Sequence, residues 1–119
     1  HVKIRNVSQQ REEYSPMYLF MVSHPTSGAT SFAEDLIDNS LAACVHALPA
    51  GTSIYCWDGE KKRESETLLL VKTAVDIDVF SQRALEMHPY DCPEIIALEV
   101  TGGLSGYLEW VHNMTRGTS

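Results

Sequence analysis

The chain has 119 residues, 44% of them hydrophobic and 21% charged, the size and balance of one globular domain with a core of its own. Nine Lys and Arg stand against 16 Asp and Glu, a formal net charge of −7, which excludes a basic nucleic-acid surface and disfavours anionic lipid. The longest apolar run, Met17–Val22, falls far short of the roughly twenty residues that cross a bilayer. Three cysteines without a close pair, Cys44, Cys56 and Cys92, argue against a disulfide scaffold and for a reducing, cytoplasmic setting.

Residues 1–16 are polar, of mixed charge, and end at Pro16, which predicts a flexible tail ahead of a single domain over 17–119. Met17-Tyr18-Leu19-Phe20-Met21-Val22 then reads as a short strand buried on both faces. Phe32, Ala33, Leu36, Ile37 and Leu41 recur at spacings of three and four among Glu34, Asp35 and Asp38, the pattern of an amphipathic helix. Ser31 with Glu34 offers a capping box, and Ser27 an earlier start. Cys44-Val45 and Thr52–Trp57 read as extended, with Pro49 and Gly51 marking a bulge or bend between them. Asp58-Gly59 is a strong hairpin signal. The return strand carries Lys61, Lys62 and Arg63 and ends in Leu68–Thr73.

A second helix from about Asp76 turns Ile77, Phe80, Ala84 and Met87 to one side and stops at Pro89. Ile95–Leu98 supplies a further strand. After the Gly102-Gly103 turn, Tyr107, Trp110, Val111 and Met114 share a face of a last helix, with Ser105 as its N-cap. The order β-α-β-β-α-β-α predicts an α+β chain. Its first six elements are those of the ferredoxin-like split βαβ arrangement, with helices on one face of an antiparallel sheet.

Each arm of the central hairpin has about 14–16 residues, where a usual strand has about five or six. At about 3.3 Å per residue an arm would reach roughly 50 Å, while a compact chain of this length is about 35 Å across. An overhang leaves unpaired backbone and an aggregation-prone edge. Pairing with the same hairpin of another copy, in a closed homo-oligomer, removes both problems. The alternative is that Pro49–Gly51 splits the strand and the hairpin folds back.

The densest polar constellation is His88-Pro89-Tyr90-Asp91-Cys92-Pro93-Glu94. Imidazole and thiolate suit copper or zinc, and a carboxylate can complete the shell. The spacing matches no closed metal motif, and the plainer reading is a proline-shaped turn with His88 and Glu94 as hydrogen-bonded or solvated ends. An acid–base pair of His88 and Glu94 is the enzymatic alternative, unaccompanied by any nucleophile or cofactor signature. Cys44 reads as a small buried hydrophobe with His46 on its face, Cys56 beside Trp57 as packing or interface, and His24 as a solvated turn residue.

Taken together, Leu41-Ala42-Ala43-Cys44-Val45, Thr52–Gly59, Leu70-Val71-Lys72-Thr73, His88–Ile95 and Tyr107-Leu108-Glu109-Trp110 resemble the CutA family, the divalent-cation tolerance proteins. The resemblance runs in the family's order through nearly all of residues 17–114. It implies a ferredoxin-like subunit that forms a homotrimer through its long hairpins, with copper or another divalent cation as ligand, no organic cofactor and no enzymatic reaction. Mammalian relatives are connected with anchoring acetylcholinesterase at membranes, and the trimer resembles that of the PII signalling proteins, whose intersubunit clefts bind small ligands. The copper ligands of a bacterial relative are a cysteine ending the first strand, a histidine just before the His-Pro-Tyr motif and the glutamate after the second proline. Here those positions hold Val22, Met87 and Glu94. A rearranged metal set of His88, Cys92 and Glu94, with Met87 as a soft thioether, is what this chain offers instead.

Tyr55, Trp57, Lys72, Tyr90 and Trp110 match the family pattern, and either line an intersubunit cleft or pack the trimer. The resulting expectation is a non-enzymatic homotrimer of metal-ion homeostasis. Its partners would be its own copies and divalent metal ions, with no nucleic acid and no membrane insertion. A PII-like small-molecule sensor or a protein-anchoring scaffold is the alternative.

Overall fold

The computed structural model describes residues 16–116, so the tail expected over 1–16 lies outside the described residues but for Pro16. The elements are β1 (Tyr18–Pro25), α1 (Ala29–Asp38), β2 (Cys44–Ala47), β3 (Gly51–Trp57), β4 (Glu60–Thr73), α2 (Ile77–Met87), β5 (Ile95–Glu99) and α3 (Ser105–Thr115). All strand pairings are antiparallel in one sheet of order β2–β4–β1–β5, and β3 also pairs with β4. The central strands β1 and β4 come from different halves of the chain, as a split βαβ order requires.

Alternation along β1 and β4 sends Phe20, Val22, Leu69 and Val71 to one face, where Phe32 and Leu36 of α1 and Phe80 and Ala84 of α2 close over them. Phe20 and Phe80 stack with ring centroids 4.0 Å apart at the centre of this core. The helix starts differ in how they are capped. Asp76 accepts hydrogen bonds from the backbone N–H groups of Asp78 (3.0 Å) and Val79 (3.2 Å), satisfying two orphan donors of α2. Neither serine caps α1, contrary to expectation. Its N-cap is Gly28, at φ 91°, because the tight turn out of β1 needs a left-handed residue there. Ser105 is likewise not a cap. Leu104 holds the extended cap geometry, so Ser105 is already the first helical residue.

Asp58 and Gly59 have φ of 54° and 75°, the two positive values that a tight two-residue hairpin turn demands. Ala47 faces Leu69 while Gly51 faces Glu66, so four steps along one arm match three along the other. The extra residue is a bulge at Leu48–Ala50, where Pro49 could not have donated to the ladder in any case. The hairpin does not fold back. β4 runs unbroken for 14 residues, and the molecule measures 60 × 27 × 25 Å with a radius of gyration of 16.5 Å, where compaction would give about 13 Å.

Among the described residues nothing forms a layer over the second sheet face. Strand register aligns Cys44, Lys72, Leu19 and Leu98 in one row and His46, Leu70, Met21 and Ile96 in the next. Ile96 and Leu98 are about half exposed, at 50% and 49%. The expected burial of the first strand on both faces therefore holds for one face within a single chain. At the end of the sheet far from the hairpin tip, α3 docks through Val111 against Met17 and Ala43. The Thr115 hydroxyl accepts from the backbone N–H of Ala74 at 3.1 Å and fixes that contact. Tyr107, Trp110 and Met114, on the same helix, stay exposed.

Candidate functional site

The residue before a proline is pushed out of helical geometry, so His88, ahead of Pro89, ends α2 in an extended conformation. Its ring swings against β1. The Nε2–H donates to the Ser23 carbonyl at 2.7 Å and Nδ1 accepts from the Tyr90 N–H at 3.1 Å. The ring lies 4.9 Å from His24, 5.4 Å from Phe32 and 5.2 Å from Tyr90, centroid to centroid. Burial holds this imidazole below its ordinary 6.5, against the opposing pull of the Ser23 carbonyl. His24 is not the solvated turn residue expected. It is 5% exposed, packs on Phe32 and donates from Nδ1 to its neighbour's carbonyl, that of Pro25, at 2.8 Å. Its place was readable from parity, since position 24 continues the inward series Phe20, Val22.

Anchored by His88, the 88–94 turn forms one wall of an open groove whose other wall is the hairpin. Ser23 ties down the turn's far end, its hydroxyl donating to Glu94 Oε1 at 2.9 Å. Glu66, on β4, is clamped from both sides: Ser53 Oγ donates to Oε1 at 2.6 Å and Tyr90 Oη to Oε2 at 3.0 Å. The groove encloses about 820 Å³ and is lined by Tyr55, Trp57 and Tyr90 together with Glu64, Glu66, Asp91, Cys92 and Glu94. The Tyr90 phenol is pushed up to about 12 by lost contact with water, then by the hydrogen bond it donates to Glu66 and by the charges of Glu66 and Glu64. Tyr55 is raised in the same way by desolvation and by Glu64 and Glu66, with Lys62 opposing. The Tyr90 phenol therefore stays protonated and donates to Glu66. Sequence reasoning did not single out Ser23, Ser53, Glu64 or Glu66. The even numbering that Glu64 and Glu66 share with Leu68, Leu70 and Lys72 could have placed them on this face.

The five aromatic and basic residues expected in one cleft fall into two groups. Tyr55, Trp57 and Tyr90 share the groove. Lys72 and Trp110 lie at the other end of the sheet, where the Lys72 ammonium is 4.0 Å from Cys44 Sγ. Lost contact with water, then the Cys44 thiol, pushes the Tyr107 phenol up, and its ring is 5.6 Å from that of Trp110. Cys44 is thus half-buried and polar in its contacts, and His46 and Cys56 are exposed.

The expected metal donors do not form a ligand shell within one chain. His88 has no lone pair to give, because one ring nitrogen carries the proton donated to Ser23 and the other accepts from Tyr90. One oxygen of Glu94 is occupied by Ser23, and Met87 packs against the core. Cys92 is exposed. Among the described residues, no three His, Cys, Asp or Glu converge on one point that could hold an ion. The same engagement of both nitrogens leaves His88 without a free basic site for acid–base work.

The sequence profile of the family described as CutA1 divalent ion tolerance protein matches residues 18–114. A chloroplastic CutA protein of Arabidopsis thaliana is 38% identical over 103 residues, covering 85% of this chain and 57% of the plant protein. A divalent-cation tolerance protein CutA of Thermus thermophilus is 42% identical over 88 residues, covering 73% of this chain and 85% of its own length. The chain thus spans little more than half of the plant relative. Among solved structures, a PII-like protein CutA from Nostoc superposes with a TM-score of 0.77 at 30% identity, covering 83% of this chain and 97% of that one. A relative from Archaeoglobus fulgidus, 25% identical with a TM-score of 0.78 over 84% of this chain and 99% of its own, is described as periplasmic. Relatives thus carry chloroplastic and periplasmic labels, which do not bear out the cytoplasmic expectation. Among the described residues no helix is long and apolar enough to cross a membrane.

Proposed function

The chain belongs to the CutA1 family of divalent ion tolerance proteins, and from that premise we propose that it works as a non-catalytic homotrimer whose ligand site is a cleft between subunits. The observation that carries this reading is the uncovered sheet face. Half-exposed Ile96 and Leu98, beside partly exposed Leu19, Met21 and Leu70, continue into a hairpin that overhangs its own domain, the geometry that a neighbouring copy would cover. A closed ring also brings one copy's Tyr55, Trp57 and Tyr90 toward another's Lys72 and Trp110. Divalent cations meet the groove through Cys92 and the free oxygen of Glu94, two donors that make an open, exchangeable site. His88 is the buttress of that wall.

Two measurements test this. Sedimentation or light scattering is expected to give three times the chain mass, and a monomer refutes the assembly. Anaerobic titration of metal-free protein with Cu(I) and Cu(II) is expected to show saturable binding, weakened in Cys92→Ala and in Glu94→Ala. No saturable binding removes the metal role. In that case a second reading takes over, a PII-like sensor of small molecules. It is supported by the groove's three exposed aromatic rings and by the PII-like description of the Nostoc relative. A rise in melting temperature with a small anion or nucleotide, and none with copper, identifies it.

A further inference from the structure

Across the two registered rows of the open sheet face, Lys72 carries the only formal charge. Among the described residues its ammonium has no carboxylate at ion-pair distance, and its polar contact is the Cys44 thiol at 4.0 Å. On a solvated face that is unremarkable. Under a second copy it is not, because an ammonium stripped of water without a counter-charge is among the costliest features an interface can contain.

The opposite charge lies further along the same strand. Glu64 and Glu66 occupy even positions of β4, on the side that Lys72 faces, and both line the groove. From Glu66 to Lys72 the strand advances about 20 Å at about 3.3 Å per residue, so the two cannot meet within one copy. Glu66 is held in place by Ser53 and Tyr90. The groove's own cation, Lys62, lines it as well, and its ion pair is with Glu60 at 3.1 Å. Glu66 lies opposite Pro25, where β1 ends, and Glu64 stands two residues further out, on the part of the hairpin that runs on past β1.

We propose that Lys72 of one copy enters the groove of the next and pairs with Glu66 and Glu64, head to tail around the ring. The proposal rests on the trimer reading above and names what joins its subunits. Each cleft then has aromatic walls from one subunit and an ammonium from its neighbour, and neither subunit holds a complete site alone. A heterologous contact of this kind closes into a ring when its rotation is a third of a turn.

Zero-length carbodiimide coupling tests the pairing, because it joins an ammonium to a carboxylate only where the two touch. Coupled protein is expected to run as covalent dimers and trimers. Their digests should contain the Lys72 peptide joined to the Glu64–Glu66 peptide, and Lys72→Met should abolish that species. Oligomer mass is measured on the same uncoupled samples. A trimer without the linkage overturns the pairing while leaving the assembly standing, and a monomer overturns the assembly itself. Lys72→Glu and Glu66→Lys, each alone, are expected to weaken association by about tenfold or more. The double variant should recover most of that loss, and no recovery refutes the pairing.

Discussion

Replacing His88 by alanine separates a structural imidazole from a metal-binding one. The ring is 8% exposed and makes two hydrogen bonds to backbone, at 2.7 Å to the Ser23 carbonyl and 3.1 Å to the Tyr90 N–H. Truncation leaves both groups without a partner, at about 1–3 kcal/mol for each that water does not reach. It also removes the surface on which His24, Phe32 and Tyr90 pack. Water will reach the Tyr90 side of the opened turn, so the total is about 3 kcal/mol. For a domain of this size about 1 kcal/mol moves the melting temperature by roughly 4–8 °C, so a fall of roughly 12–24 °C is expected. The assay is thermal unfolding followed by circular dichroism at fixed protein concentration, because the proposed assembly would make the midpoint concentration-dependent. Hydrogen exchange at the Tyr90 amide, which should lose its protection, adds a local readout. His88→Gln, whose amide can still donate, should recover part of the loss. A solvated ligand histidine would give a change within about 0.5 kcal/mol and unaltered exchange at Tyr90, and that result would refute the buttress.

Three other outcomes follow from the same structure. The His88 imidazole is depressed below 6.5 by burial, so it is uncharged in the fold while the unfolded chain takes up its proton first. Its contribution is therefore complete above 6.5 and lost as pH falls toward the folded value. Melting temperature should drop as pH falls below about 6.5, and the slope should flatten in His88→Gln; equal slopes in both proteins would sink this assignment. Phe80→Ala removes a fully buried ring stacked 4.0 Å from Phe20 and is expected to cost about 3–5 kcal/mol in denaturant unfolding, where a loss below about 1 kcal/mol would contradict the core described. Asp76→Ala deletes the cap of α2 and is expected to cost about 1 kcal/mol, with Asn restoring most of it.

Element existence was legible in the sequence wherever period and punctuation agreed. The Asp58-Gly59 turn, the bulge around Pro49 and the stop of α2 ahead of Pro89 all depend on backbone rules that those residue types obey in almost any context. Caps were less legible. Ser27, Ser31 and Ser105 all carry the right chemistry, yet which residue stands half-in and half-out is decided by how the preceding loop arrives. Of the site, the 88–94 turn was visible as a dense run of polar residues, but the roles within it were not. Whether an imidazole binds metal or backbone depends on what lies across from it, and Ser23 is 65 residues away in sequence. The same holds for Tyr90 and Glu66, joined across 24 residues by a hairpin register that one bulge residue shifts.

Three separate features of the single chain make the same physical demand. β1 is apolar on both sides but buried on one, α3 leaves Tyr107, Trp110 and Met114 facing water, and β4 extends far beyond the core it helps to build. Each is costly in an isolated molecule, either as exposed apolar surface or as an unprotected strand edge. Among the described residues α1 and α2 are already committed to the core face. On the proposed assembly, a neighbouring copy laid along the open face would answer all three at once, and it would account for the division of the expected cleft residues between opposite ends of the sheet. Tyr55, Trp57 and Tyr90 would be one subunit's share, and Lys72 and Trp110 the share it lends to the next. On that arrangement a change at Lys72 alters a groove about 20 Å away along its own strand, and it does so through the neighbouring subunit.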